Sequence, residues 1–230
     1  MKTRHQDPVS QGGRGVLRAL VARPAVEPLV FVALGVAYAW VIQPTGNDWI
    51  RVPFMTMIVL IPFASNFVHG DKLHDLGIRF DNLWSSAREV GAVTVVATVL
   101  IVAVSYAVGT RPAFPRGILS YLLFYPLWGL VQQYAMQSFA FRRTLESVER
   151  PWLSAAITAL LFAALHWPNW PLALLTGIGG FVWCLLFYRQ PNLFILALSH
   201  GWLAVLVRYS WPAEWLRNLR IGPSYWSWTP

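Results

Sequence analysis

The sequence contains five polar side chains that could share chemistry, and each lies in an otherwise apolar stretch. They are Gln132, Gln133, Gln137, His166 and His200. Polar side chains at membrane depth are costly, and they normally face a bundle interior or a water-filled cavity, where they tend to be functional. A neutral imidazole can orient water or polarise a carbonyl group, and an amide can donate N–H groups to an oxyanion. We therefore expect a candidate site built from these residues.

The elements that must position these residues are those of an integral membrane protein. Of the 230 residues, 56% are hydrophobic and 12% are charged, whereas soluble domains carry about 25% charged residues. Since about 20 apolar residues cross the bilayer core as a helix, the charge-free windows predict an all-α, polytopic bundle of about seven transmembrane helices. The windows are 28–47, 52–70, 90–110, 117–141, 151–188, which is long enough for two helices, and 190–207.

The pattern divides the chain into three segments. Residues 1–27 are predicted to form a disordered basic cytoplasmic tail, residues 28–210 a membrane domain, and residues 211–230 a Trp-rich C-terminal tail. With the N-terminus in the cytoplasm, twelve Lys and Arg residues fall inside and six outside, which favours this orientation. The net charge of +8 is spread over loops and tail, so it does not indicate a nucleic-acid partner. The longest internal polar segment, 71–89, is interpreted as a surface connector.

Each polar residue in the spans also has a purely structural interpretation. On a helix Gln133 and Gln137 share a face, and Gln132 lies about 100° to one side. These amides either line a cavity wall or form interhelical hydrogen bonds. His166 ends the fifth span, where an interfacial histidine is common. His200 lies in mid-span, where both its N–H and its lone pair need partners.

Metal chemistry is disfavoured by the residues available. No Asp or Glu lies within a predicted span, and the single cysteine, Cys184, lies within the sixth. Strong zinc sites use three histidines, or histidine with carboxylate or thiolate. We therefore expect neither a metal nor another cofactor, and we interpret Cys184 as a packing residue.

In order and spacing, the polar residues resemble the CPBP intramembrane protease family, which includes CAAX prenyl protease 2 and the bacterial Abi or bacteriocin-processing proteins. That family is marked by E-E-x-x-x-R, F-x-x-x-H and H-x-x-x-N on separate membrane helices. This chain has Gln132-Gln133-x-x-x-Gln137, Phe162-x-x-x-His166 and His200-x-x-x-Ala204. The resemblance covers roughly residues 122–207.

The resemblance implies an intramembrane endopeptidase in the plasma membrane of a prokaryote, acting on a membrane-embedded or lipidated peptide or protein. It implies Gln132, His166 and His200 as catalytic residues, supported by Gln133 and Gln137. In the family, the glutamate at the position of Gln132 is taken as the general base. An amide cannot accept that proton at physiological pH, so a histidine would have to act as the base. Because both glutamates and the arginine are replaced by Gln, no buried cation is left unpaired.

Two other functions remain open at this stage. The first is a pseudoprotease that binds such a peptide without cutting it. The second is a small transporter or channel, which the absence of intramembrane charge disfavours. The sequence carries no indication of the oligomeric state.

Span counting creates one conflict within the candidate site. With the N-terminus inside, the fourth span runs inward and carries the glutamines in its inner half, whereas the fifth runs outward and carries His166 at its far end. A shared site therefore requires that a boundary of the fourth or fifth span differ from the predicted one.

Overall fold

The structure, a computed structural model, describes residues 24–229, which contain helices and no strand. The α-helices are α1 Val26–Ala37, α2 Asp48–Val68, α3 Leu83–Ala107, α4 Ile118–Gln133, α5 Arg142–Val148, α6 Pro151–Ala164, α7 Trp170–Arg189, α8 Leu193–Ser210 and α9 Ala213–Leu216. Two π-helical segments, Tyr38–Ile42 and Tyr134–Phe141, continue α1 and α4. Short 3₁₀ turns complete the described part at Gln43–Thr45, Arg217–Leu219 and Gly222–Tyr225.

Five helical segments among the described residues are long and apolar enough to cross a membrane. They are Val26–Thr45, Asp48–Val68, Leu83–Ala107, Trp170–Arg189 and Leu193–Ser210. The predicted all-α membrane fold is confirmed, but the count of seven is not. The other two predicted spans fall on Ile118–Phe141, which changes from α-helix to π-helix, and on Pro151–Ala164, which has 14 residues. At 1.5 Å per residue, α6 rises only about 21 Å.

The two predicted tails differ in how far the structure describes them. Residues 1–23 of the predicted tail 1–27 lie outside the described residues. Near the end of this predicted tail, Glu27 belongs to α1. The C-terminal segment, residues 211–229, is packed on the bundle. Trp211 Nε1 donates to the carbonyl of Ile101 at 3.0 Å, and the backbone N–H of Gly222 donates to Trp167 at 3.1 Å.

A close helix crossing joins α4 to α8 at two glycines. A Cβ atom at Gly201 would lie 2.6 Å from the backbone nitrogen of Pro126, and one at Gly129 would lie 3.1 Å from the carbonyl oxygen of Ala197. Small residues at membrane helix crossings let two backbones approach closely. This approach brings the C-terminal end of α4 against the middle of α8.

A second tight contact joins α6, α7 and the π-helical segment 134–141. A Cβ atom at Gly180 would lie 2.7 Å from the Met136 methyl group and 3.6 Å from the Ala159 Cα. The glycine therefore lets α7 pack directly on α6 while the π-helical segment closes over both. His166, just after α6, is carried towards α8 by this packing.

The segment 69–82, predicted as part of a surface connector, is bound to the bundle by several hydrogen bonds. The backbone N–H of Leu193, the first residue of α8, donates to Gly77 at 2.9 Å. The fully buried Asn192 side chain donates to Arg79 and to Asn82 at 3.0 and 2.9 Å. We call this end of the bundle, with residues 69–82, α5 and residues 190–192, the connector end, and the end with residues 108–117 and 211–229 the tail end.

Candidate active site

Gln132, His166 and His200 line one cavity of about 1230 Å³. Its walls come from α3, α4, α7, α8 and the C-terminal segment, and most of its lining is apolar. Ala204, at the position of the asparagine in the family motif, lines it as well. Among the described residues, no Asp or Glu contributes to its surface. The structure thus brings the three predicted catalytic residues to one largely apolar hollow.

The conflict in depth is resolved because the helix that carries the glutamines continues beyond residue 141, where the fourth span was predicted to end. The helix that begins at Ile118 runs through the π-helical segment and α5 to Val148. Gln132 precedes Glu149 by 17 positions, and His166 follows Arg150 by 16. At 1.5 Å per residue both residues lie about 25 Å from the turn at 149–150. They therefore lie at about the same distance from this turn, as the shared site required.

A chain of hydrogen bonds holds His200 on the side that faces away from the cavity. Gln137 Nε2 donates to Gln133 Oε1 at 3.1 Å, and Gln133 Nε2 lies 3.2 Å from His200 Nδ1. Since the Gln133 oxygen accepts from Gln137, its amide NH₂ group faces the imidazole, and Nδ1 of His200 must accept. A neutral imidazole that accepts at one nitrogen carries its proton on the other. His200 therefore offers Nε2–H as a donor.

Trp183 fixes the plane of the same imidazole. The two rings are stacked, with centroids 4.8 Å apart and an interplanar angle of 21°. Trp183 is buried, and its indole N–H donates to Ser199 at 3.3 Å. The position of His200 is thus set by an amide on one side and an aromatic ring on the other.

His166 is held in the opposite tautomer. Its Nδ1 lies 2.8 Å from the backbone oxygen of Phe162 and 3.3 Å from Thr176 Oγ1. A carbonyl oxygen only accepts, so Nδ1 of His166 carries the proton and Nε2 keeps a lone pair. The Phe162 ring packs edge-on against both imidazoles, with centroids 4.8 Å from His166 and 6.4 Å from His200. One imidazole can accept a proton while the other donates a hydrogen bond.

The three glutamines divide into two kinds. Gln132 is half-buried and lines the cavity, whereas Gln133 and Gln137 are fully buried behind His200. Within the described part, the Oε1 atom of Gln137 has no hydrogen-bond partner, and the buried thiol of Cys184 lies beside this amide. Gln132 is therefore the glutamine placed to contact a bound molecule. Within residues 24–229, no three side chains among His, Cys, Asp and Glu come together as possible metal ligands.

Sequence reasoning missed a charged cluster at the connector end. Its centre is Arg143, which is fully buried, and which donates to Glu146 at 2.6 Å, to Asn66 at 3.0 Å and also to Asp71. The cluster also contains Arg142, Ser65, Glu27 and His69. Asn66 donates to the hydroxyl of Tyr134, the residue after Gln133, at 3.0 Å. The one signal in the sequence was the Arg142-Arg143 pair, which had been counted only as charge outside the membrane.

A comparison with protein-family models matches the part of the chain that contains this site. The family model named type II CAAX prenyl endopeptidase Rce1-like matches residues 115–206. Residues 115–206 form an Rce1-like domain. The chain matches no curated protein and no solved structure significantly. The predicted family resemblance is confirmed, and the Rce1-like domain includes all five polar residues from which the prediction began. The roles assigned to those five residues stay predictions.

Proposed function

We propose that this chain is an intramembrane endopeptidase that hydrolyses a membrane-embedded or lipidated peptide, with an imidazole as general base in place of a carboxylate. One observation carries the proposal: Gln132, His166 and His200 share one cavity within an Rce1-like domain. We place the protein in the plasma membrane of a prokaryote, as the family resemblance implies.

The opposite tautomers of the two histidines suggest a division of roles. Nε2 of His166 takes a proton from a water molecule, and the resulting hydroxide attacks the peptide carbonyl carbon. The Nε2–H of His200 donates to the oxyanion that forms. The proton on His166 then passes to the leaving amine as the C–N bond breaks, which returns both imidazoles to their starting state.

The remaining side chains position the reactants. Gln132 is placed to donate its amide N–H to the water molecule or to the carbonyl oxygen. Gln133 and Trp183 hold His200 so that its donor points into the cavity. The cavity exceeds the roughly 300–1,000 Å³ of ordinary ligand pockets, and its apolar wall from α3 and α7 suits an apolar peptide segment or a lipid chain.

The proposal is tested with purified protein in vesicles and a membrane-anchored peptide. His166→Ala and His200→Ala should each lower the cleavage rate by about 10²- to 10⁴-fold. Because the two imidazoles act on one water and one carbonyl, the double variant should be little slower than either single one. His74→Ala is the matched control, since its side chain is 58% exposed at the connector end. Full activity in both folded single variants would contradict the proposal.

A second function is favoured by one specific observation, the lack of any Asp or Glu in the described cavity lining. A cavity without a carboxylate could retain a peptide without cutting it. The test is the double variant Gln132→Glu with Gln137→Arg, with Gln132→Asn as the control. Cleavage by this variant and none by the wild type would favour the pseudoprotease; cleavage by the wild type would exclude it.

A further inference from the structure

The two ends of the bundle differ in their balance of charge. The connector end contains four Lys and Arg residues and four carboxylates, and Arg79, Arg142 and Arg143 all form ion pairs there. The tail end contains a single carboxylate, that of Glu214, and four arginines, which are Arg111, Arg116, Arg217 and Arg220. None of these four forms an ion pair with any residue between 24 and 229. The tail end therefore carries an excess of positive charge.

The side chain of Arg217 is held beside two aromatic rings. Its guanidinium carbon lies 4.9 Å from the ring centroid of Tyr225 and 5.7 Å from that of Trp228. Its Nε atom is buried, and within the described part of the chain it has no hydrogen-bond partner. Aromatic rings beside a guanidinium hold its plane, and a planar guanidinium binds phosphate through paired hydrogen bonds. Arg217 thus presents a positioned donor group that lacks an acceptor among residues 24–229.

Exposed tryptophans place this end of the bundle at the level of the lipid headgroups. Trp215 and Trp226 are exposed in the C-terminal segment. Trp167 and Trp170, which precede and begin α7, are exposed as well, and the Trp167 carbonyl accepts the backbone hydrogen bond of Gly222. Trp side chains concentrate where the hydrocarbon core meets the headgroups. Because lipid phosphates lie at the same level, they are the acceptors closest to these arginines.

The arginines of the C-terminal segment lie apart from the candidate active site. Asn218, Leu219 and Ile221 line the cavity, whereas Arg217 and Arg220 do not. Arg220 is exposed. A headgroup bound to these two arginines would contact a segment that forms part of the cavity wall, without entering the cavity.

We propose that the tail end binds an anionic phospholipid, whose phosphate accepts hydrogen bonds from Arg217 and whose negative charge is attracted by the three exposed arginines. An anionic lipid is favoured because phosphatidylcholine carries no net charge to offset the positive excess. The inference is independent of the proposed function, since it uses neither histidine. A soluble phosphate ester has the same hydrogen-bonding chemistry, and the experiment separates the two sources.

The experiment uses native mass spectrometry of the purified full chain in maltoside micelles, which resolves single bound lipids and gives their Kd values. Wild-type protein should bind phosphatidylglycerol more tightly than phosphatidylcholine. Arg217→Gln should raise the Kd of phosphatidylglycerol about fivefold, the contribution of one arginine near a lipid surface. It should leave the Kd of phosphatidylcholine nearly unchanged. Arg217→Lys should fall between, because Lys keeps the charge without the planar fork.

Two further variants separate binding from folding and from general attraction. Arg220→Gln changes an exposed side chain, so it should fold normally and raise the Kd of phosphatidylglycerol by a similar factor. It decides the question if Arg217→Gln does not fold. Arg150→Gln is the matched control, since Arg150 is exposed beside the connector end and forms no ion pair within residues 24–229. It should leave both Kd values unchanged.

Thermal unfolding provides a second measurement, and a soluble competitor identifies the source of the phosphate. Phosphatidylglycerol should raise the Tm of the wild type, and Arg220→Gln should reduce this rise. Excess glycerol 3-phosphate should leave the lipid bound, because the acyl chains also hold it against the bundle. Displacement by glycerol 3-phosphate would overturn a lipid as the ligand. Equal Kd values for the two lipids in the wild type, or equal losses in Arg220→Gln and Arg150→Gln, would overturn the tail-end site.

Discussion

The helix that runs from Ile118 to Val148 carries two polar regions of opposite character. Gln133 lies in a neutral chain of amides and imidazoles, and Arg143, ten residues or about 15 Å further along, lies in a charged cluster. Arg143 contacts two carboxylates and two polar side chains. The neutral chain instead ends at His200, which lines an open cavity.

The two regions differ in whether their buried polar groups have complete sets of partners. A buried charge is tolerated when its partners are complete, and removing one partner is costly. The charged cluster meets this condition and ties α2, the connector and α5 together. The neutral chain orients an imidazole at a cavity and leaves one of its nitrogens free. We therefore propose a structural role for the charged cluster and a functional role for the neutral chain of amides and imidazoles.

The largest expected effect comes from breaking the charged cluster. Arg143→Ala removes the fully buried cation of the cluster, which leaves Asp71 paired with Arg142 alone and Glu146 without a cation. It should therefore lower the free energy of unfolding by about 3–5 kcal/mol. Thermal unfolding in detergent measures it. The control is Arg189→Ala, which breaks an exposed pair with Glu89 at 3.4 Å and should cost about 0–1 kcal/mol. Equal stability of the two variants would show that the cluster does not hold the fold.

The next effect concerns the helix crossing that brings the neutral chain together. Gly201→Ala puts a Cβ atom 2.6 Å from the Pro126 backbone, so α4 and α8 must separate at a cost of about 1–3 kcal/mol. Cleavage should fall with it, because Gln133 and His200 lose their contact. Gly91→Ala in α3 meets nothing within 4 Å and should be neutral or stabilising by about 0.5–1 kcal/mol. Wild-type stability and activity in the Gly201 variant would show that this crossing does not position Gln133 and His200.

A smaller effect is expected from the amide behind His200. Gln133→Leu removes the hydrogen bond that fixes the His200 tautomer, so kcat should fall about tenfold, the equivalent of one hydrogen bond. KM should stay nearly constant, because Gln133 does not line the cavity. Rates are compared per folded molecule, with folding followed by size-exclusion chromatography. A rise in KM at constant kcat would place Gln133 in substrate binding instead.

The smallest effect is expected at an exposed ion pair of the connector. The hydrogen bond from Arg79 lowers the pKa of Asp81 below its ordinary value. A lowered carboxyl pKa contributes stability above its unfolded value, and that contribution is lost as pH falls through the folded value. Because the Asp81 side chain is 62% exposed, solvent screens the pair. Asp81→Asn should therefore leave the pH dependence of Tm unchanged, and a clear difference in acid would show that this pair also supports the fold.

The sequence was sufficient to predict which residues lie at the candidate site. It was not sufficient to place these residues at a common depth in the membrane. His200 and the glutamines were identifiable because polar side chains stand out in apolar windows. The depth of the glutamines relative to His166 could not be resolved from the sequence, because the charge-free window of the fourth span ends at residue 141, before Arg142 and the buried Arg143. The burial of Arg143 depends on Asp71 and Asn66, which lie over 70 residues away in sequence. No local sequence pattern encodes such a contact.

Hydrolysis of a peptide within the membrane by the imidazole pair is tested most directly by the incorporation of ¹⁸O from labelled water. Purified protein in vesicles is incubated with a membrane-anchored peptide, and the products are weighed by mass spectrometry. The wild type should place one ¹⁸O atom in the newly formed carboxylate. Folded His166→Ala, His200→Ala and the double variant should form almost no labelled product. Labelled product formed at the wild-type rate by the double variant, or no product from the wild type, would contradict hydrolysis by the imidazole pair.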